Sequence, residues 1–254
     1  MRLRSKKRGR EIKMWEQIKE WAKKNPSLTS LITFVLFFLS LCYVFNLGWK
    51  LALIVSLSLA AHEYSHVLAM RIMKIPVKAV LFIPLLGAVA IGGGKRMWTR
   101  REECFIALAG PLAGYLTVLP VYFLWTISGN PIFAAGMFYI IVINLFNMLP
   151  LSPLDGGRVI KSILMSLSEK IRIVGFVIWG VLAAISIMLL IRFGAVFVGV
   201  FIAFFAYQEF KREWQLYQLK IPGSFPLSQK AVLGFGLMWL ALAGWPLLAY
   251  FAWT

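Results

Sequence analysis

Histidine occurs only twice in this chain, aspartate once and cysteine twice, and the acidic side chains number 10 against 27 Lys and Arg. Two cysteines, Cys42 and Cys104, both near the ends of apolar runs, exclude a disulfide framework and read as packing residues. The shortage of acid leaves a net charge of +17. That charge does not make a nucleic-acid binder, because no groove-reading or RNA-binding motif accompanies it and the basic clusters alternate with apolar runs. Long polar stretches are scarce as well. At 60% hydrophobic residues and a mean hydropathy of +0.78, the chain cannot be a soluble domain and reads as a polytopic membrane protein. It has no internal repeat, and no low-complexity tract beyond a basic N-terminal tail.

What the chain does have is one polar constellation inside an apolar run. Leu59-Ala60-Ala61-His62-Glu63-Tyr64-Ser65-His66 sets both histidines and a carboxylate in the stretch 51–73. Two histidines scattered at random would fall four apart only about once in a hundred tries. In a helix, positions i and i+4 share a face, so His62 and His66 project side by side at a spacing that suits one zinc ion. Glu63, one residue beyond the first imidazole, is placed to take a proton from a water activated there. The alternative is a pair of hydrogen-bonded core histidines. It would leave three neighbouring polar groups in an apolar helix without a task, which is costly in hydrocarbon.

A catalytic zinc takes three protein ligands and keeps a fourth position open. No third histidine exists. Apart from Glu63 and Asp155, the carboxylates (Glu11, Glu16, Glu20, Glu102, Glu103, Glu169, Glu209 and Glu213) fall among basic residues in polar segments. Asp155 instead follows a long apolar run, within Asn147-Met148-Leu149-Pro150-Leu151-Ser152-Pro153-Leu154-Asp155-Gly156-Gly157. It is the candidate third ligand by elimination.

Taken together, His62-Glu63-x-x-His66, Gly110-Pro111 with Gly114, and Asn147-x-x-Pro150-x-x-Pro153-Leu154-Asp155-Gly156-Gly157 resemble the site-2 protease family of M50-type intramembrane zinc metalloproteases. The motifs agree in order and separation over roughly 31–167. The resemblance implies one zinc per chain, a β element after the zinc-binding helix whose edge pairs with substrate, and a contact from Asn147 to the active site or to an extended substrate. The loops leave no room for an inserted PDZ domain and no CBS modules are appended, so a compact form is expected.

Read in order, 1–27 is a basic cytoplasmic segment with ten Lys or Arg in its first 26 residues. Met14, Ile18 and Trp21 are spaced for one face of a surface helix suited to a bilayer with an anionic cytoplasmic leaflet, a disordered charged tail being the alternative. Residues 28–210 are expected to form the membrane-embedded metalloprotease domain, with its core at 51–167. A cytoplasmic linker at 211–230 and a C-terminal transmembrane helix at 231–254 follow. The fold expected is all-α and polytopic, with about six to seven transmembrane helices. After the second of these, 77–94 is too short to span and is broken by Pro84 and Gly87, so it reads as a re-entrant β element shielded by protein. Gly110-x-x-x-Gly114 offers a close-packing face towards the zinc helix. Pro150 and Pro153 open the backbone ahead of Asp155.

Placing the N-terminus in the cytoplasm leaves only Lys50 and Arg192 outside, and the other 25 of the 27 basic residues inside. His62 stands nine residues from Arg71, about 14 Å along a helix, so the site lies within the membrane towards the cytoplasm. The function expected is that of a zinc-dependent endopeptidase cutting transmembrane segments of single-span membrane-protein substrates, with no nucleic-acid partner. Glu63 is the catalytic base and His62, His66 and Asp155 are the metal ligands. Asn147, Pro150, Pro153, Gly87 and Val89 are candidates for holding substrate. Two rivals remain. Zincins that process prenylated proteins also carry His-Glu-x-x-His in membrane helices, but their pattern calls for a downstream glutamate. A metal transporter or inactive scaffold is the non-proteolytic alternative, though transporters spread polar groups over several spans. Substrate identity and oligomeric state cannot be read from the sequence.

Overall fold

The computed structural model describes residues 21, 24–83, 87–92, 98–166, 172–192, 194, 196–218 and 226–253. The surface helix expected over 1–27 lies outside them except for its end, and residues 93–97 lie outside them as well. Among the described residues nine helices and one hairpin follow in order: α1 (Pro26–Tyr43), α2 (Trp49–Ile72), β1 (Val77–Ile83), β2 (Gly87–Gly92), α3 (Arg100–Leu116), α4 (Val118–Ser128), α5 (Pro131–Asn147), α6 (Asp155–Leu164), α7 (Arg172–Arg192), α8 (Val196–Gln218) and α9 (Gln229–Trp253).

Local chemistry sets several of these bounds. Thr99 opens α3 with a capping box: its hydroxyl accepts from the Glu102 N–H while its own N–H donates to the Glu102 carboxylate. Asn130 caps α5, its side-chain oxygen 3.0 Å from the Ile132 nitrogen, with Pro131 in the first turn. The stretch from Arg100 to Ser128, long and apolar enough to cross a membrane once, consists of two helical segments that meet at Thr117. Pro120 explains the joint, because it lacks an N–H and its ring crowds the carbonyl four residues back, at Leu116.

By length and composition, four helical stretches among the described residues can cross a membrane: α1, α2, α3 with α4 (29 residues) and α7; α5 is a shorter apolar helix. The expected count of six to seven exceeds these four. In α8 the apolar stretch ends at Tyr207 and the charged residues Glu209, Lys211, Arg212 and Glu213 follow, so its apolar part is shorter than in those four.

The centre of the molecule is α2, which packs on α1, α3, α5 and the hairpin. Ala52, Val55, Leu59 and Val67 of α2 share a core with Phe37 and Leu41 of α1 and Val80 and Phe82 of β1. The hairpin is antiparallel, pairing Leu81 with Val89 and Ile83 with Gly87. One edge of β1 is sealed by α1: the Ser30 hydroxyl donates to the Val80 carbonyl at 2.6 Å, and the Phe82 N–H donates to the Thr33 hydroxyl at 3.2 Å.

The glutamates at 103, 209 and 213 do not behave as members of solvated polar segments. Lys161 of α6, with no solvent exposure, lies 2.6 Å from Glu103 and 2.5 Å from Glu209. Arg100 pairs with Glu213 through both guanidinium nitrogens, and the Ser162 hydroxyl donates to Glu103. A buried ion survives only when it is paired and hydrogen-bonded, and this cluster pins α3, α6 and α8 together. Burial alone would raise the Glu213 carboxyl, but the Arg100 hydrogen bond and the Lys161 charge outweigh it and leave its pKa lowered. Its contribution to stability is therefore present above the ordinary carboxylate pKa and lost as the pH falls through the lowered value.

Candidate functional site

The two histidines face the same way from α2, their ring centroids 4.8 Å apart and nearly perpendicular. Both are buried, as is Glu63 between them, and the three side chains offer ligand atoms within 4.8 Å of one another. Asp155, in the first turn of α6, arrives from the other side. Its Oδ2 lies 3.1 Å from His62 Nε2 and 3.3 Å from His66 Nε2.

The second nitrogen of each ring fixes its tautomer. His66 Nδ1 lies 2.7 Å from the Ile106 carbonyl, which can only accept, so that nitrogen carries the proton. His62 Nδ1 lies 2.9 Å from Asn144 Oδ1, and the Asn144 amide nitrogen donates to the Ile140 carbonyl at 2.8 Å, so the amide presents its oxygen and His62 Nδ1 is again the donor. In the neutral rings both Nε2 atoms are then lone pairs. Two such lone pairs converging on one carboxylate oxygen in a buried space repel unless a proton or a metal cation lies among them. Ligands about 2.0–2.1 Å from a tetrahedral ion stand about 3.3–3.4 Å apart, close to the separations seen here. The donor set fits a zinc ion held by His62, His66 and Asp155, with the outer hydrogen bonds that such imidazoles ordinarily make.

Glycines allow this convergence. A methyl group at Gly110 would run into His66 Nε2 and His62 Nε2, and one at Gly114 into the Asn144 amide. The Gly110-x-x-x-Gly114 face thus does more than admit a neighbouring helix: it clears the space in front of both imidazoles. On α6, a methyl at Gly156 would overlap the Met148 carbonyl, and one at Gly157 the backbone of Leu151 and Ser152. The opened segment 148–154 is folded tightly against the start of α6, and Asp155 is aimed by that contact. Its other oxygen, Oδ1, is 3.6 Å from Arg158, whose guanidinium lies over the Trp98 ring.

The expected substrate residues are spread around this centre. Asn147 is half-buried at the end of α5, Pro150 and Pro153 lie in the opened segment, and Gly87 and Val89 lie on β2. The amide that reaches a histidine is Asn144, one helical turn before Asn147. The resemblance assigns Asn147 a contact with the active site or with an extended substrate; Asn144 is a second asparagine, bonded to His62. The available signal was a polar amide in the middle of an apolar helix, where it needs a partner. We expect Asn144→Leu to weaken zinc binding by roughly 10- to 100-fold, the usual loss when a histidine's outer partner is removed. Chelator competition on purified protein measures it, and wild-type affinity would show the hydrogen bond to be dispensable.

Residues 50–140 match the family model of peptidase family M50. A zinc metalloprotease of Methanocaldococcus jannaschii is 26% identical over 143 residues, which cover 52% of this chain and 41% of that protein. A Synechocystis sp. protein described as a zinc metalloprotease is 29% identical over 127 residues, covering 48% of this chain and 33% of that protein. The chain thus spans less than half the length of either curated relative. Among solved structures, the site-2 protease from Methanocaldococcus jannaschii superposes with a TM-score of 0.49 at 23% identity, over 70% of this chain and 88% of that one. The family match contains His62, Glu63, His66, Gly110 and Gly114 but ends before Asn144 and Asp155.

Proposed function

We propose that the chain, whose residues 50–140 match peptidase family M50 and whose motifs resemble the site-2 protease family, is a zinc-dependent intramembrane endopeptidase that cleaves the transmembrane segments of single-span membrane proteins. The observation that carries this reading is the convergence of two imidazole lone pairs on one Asp155 oxygen, beside a buried Glu63 and among helices apolar enough to cross a bilayer. Zinc, when bound, supplies a Lewis acid that polarises the scissile carbonyl and lowers the pKa of a water. His62, His66 and Asp155 hold it. Glu63 takes the proton from the attacking water and returns it to the leaving amine. Zinc content measured beside proteolysis of a panel of single-span proteins tests the assignment, and a zinc-loaded chain that cuts none of them would argue for the non-proteolytic reading.

A helical substrate exposes no free peptide bond and must unwind before it is cut, so an edge for an extended strand is needed. In an antiparallel ladder the N–H and C=O of one residue point to the same side, alternating along the strand. Val80 and Phe82 direct theirs to α1, so Leu81 and Ile83 bond to Val89 and Gly87. The outward-facing donors of β2 then belong to Ala88 and Ala90. Proline at either position should cut turnover sharply while zinc stays bound, because it removes an edge donor and spares the hairpin. Proline at Val89 would instead break the hairpin itself. Wild-type cleavage by Ala88→Pro and Ala90→Pro would mean that substrate is not held there.

The orientation proposed is a cytoplasmic N-terminus, six to seven spans with α5, α8 and α9 added to the four of sufficient length, a re-entrant hairpin, and an active site towards the anionic cytoplasmic leaflet. Single cysteines at positions 50 and 192 should then react with an impermeant reagent in intact cells, whereas cysteines at 101 and 212, both exposed, should not. Labelling at 101 from outside would overturn the orientation.

A further inference from the structure

The C-terminal helix α9 lies beyond the residues that match the family and beyond the motifs that make up the site. Yet it reaches the backbone on which Asp155 depends. Its Trp239 indole N–H donates to the Met148 carbonyl at 3.1 Å. Met148 is 1% exposed and begins the opened segment after α5. The carbonyls at a helix end have no partner within the helix, and in apolar surroundings an unpaired one is costly. Trp239 satisfies this one. The same carbonyl is the surface on which Gly156 rests without room for a methyl group, and Gly156 directly follows Asp155.

The rest of α9 holds Trp239 in place. Phe235, Trp239 and Leu242 pack on Cys104, Leu108, Met148 and Val159 of α3, the segment after α5, and α6. The Leu227 N–H, just ahead of the helix, donates to the Ser166 hydroxyl at 3.0 Å, and Trp245 stands edge-on to Tyr115 at 5.2 Å.

We propose that Trp239 is a positioning residue for the metal centre: by fixing the Met148 carbonyl against Gly156, it holds Asp155 where its oxygen meets the two imidazoles. This rests on the reading of Asp155 as third zinc ligand. The test uses the full chain purified in detergent. Trp239→Phe keeps an aromatic ring and removes the donor. Its zinc dissociation constant, read by chelator competition, should rise about 10-fold, at the low end of the loss for a ligand's outer partner, and the zinc-free protein should stay folded although its melting temperature falls with the Met148 carbonyl unpaired. Trp245→Phe, a packing change on the same helix, should bind zinc like wild type. Trp239→Gln, which restores an N–H, should bind more tightly than Trp239→Leu, and that comparison holds even if the phenylalanine variant folds poorly. Wild-type zinc affinity in Trp239→Phe beside a zinc-free Asp155→Ala overturns the proposal alone. Equal weakening in Trp245→Phe also overturns it, since the effect would then be general helix packing. Full zinc in Asp155→Ala overturns the proposal together with the ligand assignment beneath it.

Discussion

Glu63→Gln should keep about one zinc per chain and lose at least roughly 10²- to 10⁴-fold in proteolysis, the span that a general base contributes, and more because the same group activates the nucleophile. The separation of roles follows from geometry. Asp155 Oδ2 is in contact with both Nε2 atoms, and Glu63 stands beside them on the same helix. His62→Ala, His66→Ala and Asp155→Ala should each lose most of the zinc and all activity, since the chain has no other histidine or aspartate to substitute. Asp155→Asn keeps an oxygen in place but not its charge, and should bind zinc weakly and cleave poorly. Metal analysis on detergent-purified protein, with cleavage of a single-span substrate alongside, distinguishes these classes. Full zinc occupancy in Asp155→Ala would show that the third ligand lies elsewhere.

Gly110→Ala should be as damaging as removing a ligand, although no ligand is replaced. The added methyl would sit against Nε2 of both His62 and His66, on the side where the lone pairs converge. Side chains cannot swing clear, because the Nδ1 bond of each ring is anchored, to Ile106 in one case and Asn144 in the other. We expect a loss of zinc affinity beyond the roughly 10- to 100-fold that follows removal of an outer hydrogen-bond partner. Gly114→Ala displaces only the Asn144 amide and should fall within that range. The order of the two variants is the discriminating result: equal zinc retention in both, or wild-type metal content in Gly110→Ala, would refute this account of the glycine face.

The buried charge cluster bears on how the site tolerates change. Glu103 joins Lys161 and Ser162 on α6 to α3, and α3 also supplies the Ile106 carbonyl to His66. The helix bearing Asp155 and the helix steadying His66 are therefore locked to one another away from the metal. Composition pointed the other way, since each of these glutamates sits beside basic residues in sequence. Local charge patterning describes a solvated segment equally well as one end of a buried cluster, and only the meeting of three helices distinguishes them.

The sequence by itself determined the chemistry and much of the order of elements. Scarcity did this: with two histidines and one aspartate, a helical i, i+4 pair and one misplaced acid leave little freedom of assignment. The hairpin was legible because Gly and Pro interrupt an apolar run too short to span, and the opened backbone before Asp155 because two prolines cannot share a helix interior. Tertiary structure decided what depends on facing surfaces. It decided that Asn144 turns to His62, that Gly110 clears the space before both imidazoles, that Ala88 and Ala90 direct their N–H groups away from β1, and that a tryptophan some 90 residues downstream steadies the Met148 carbonyl. The physical reason is the same in each case. Periodicity along one element says which residues share its face, whereas the partner across that face is set by the approach of another element that no local pattern encodes.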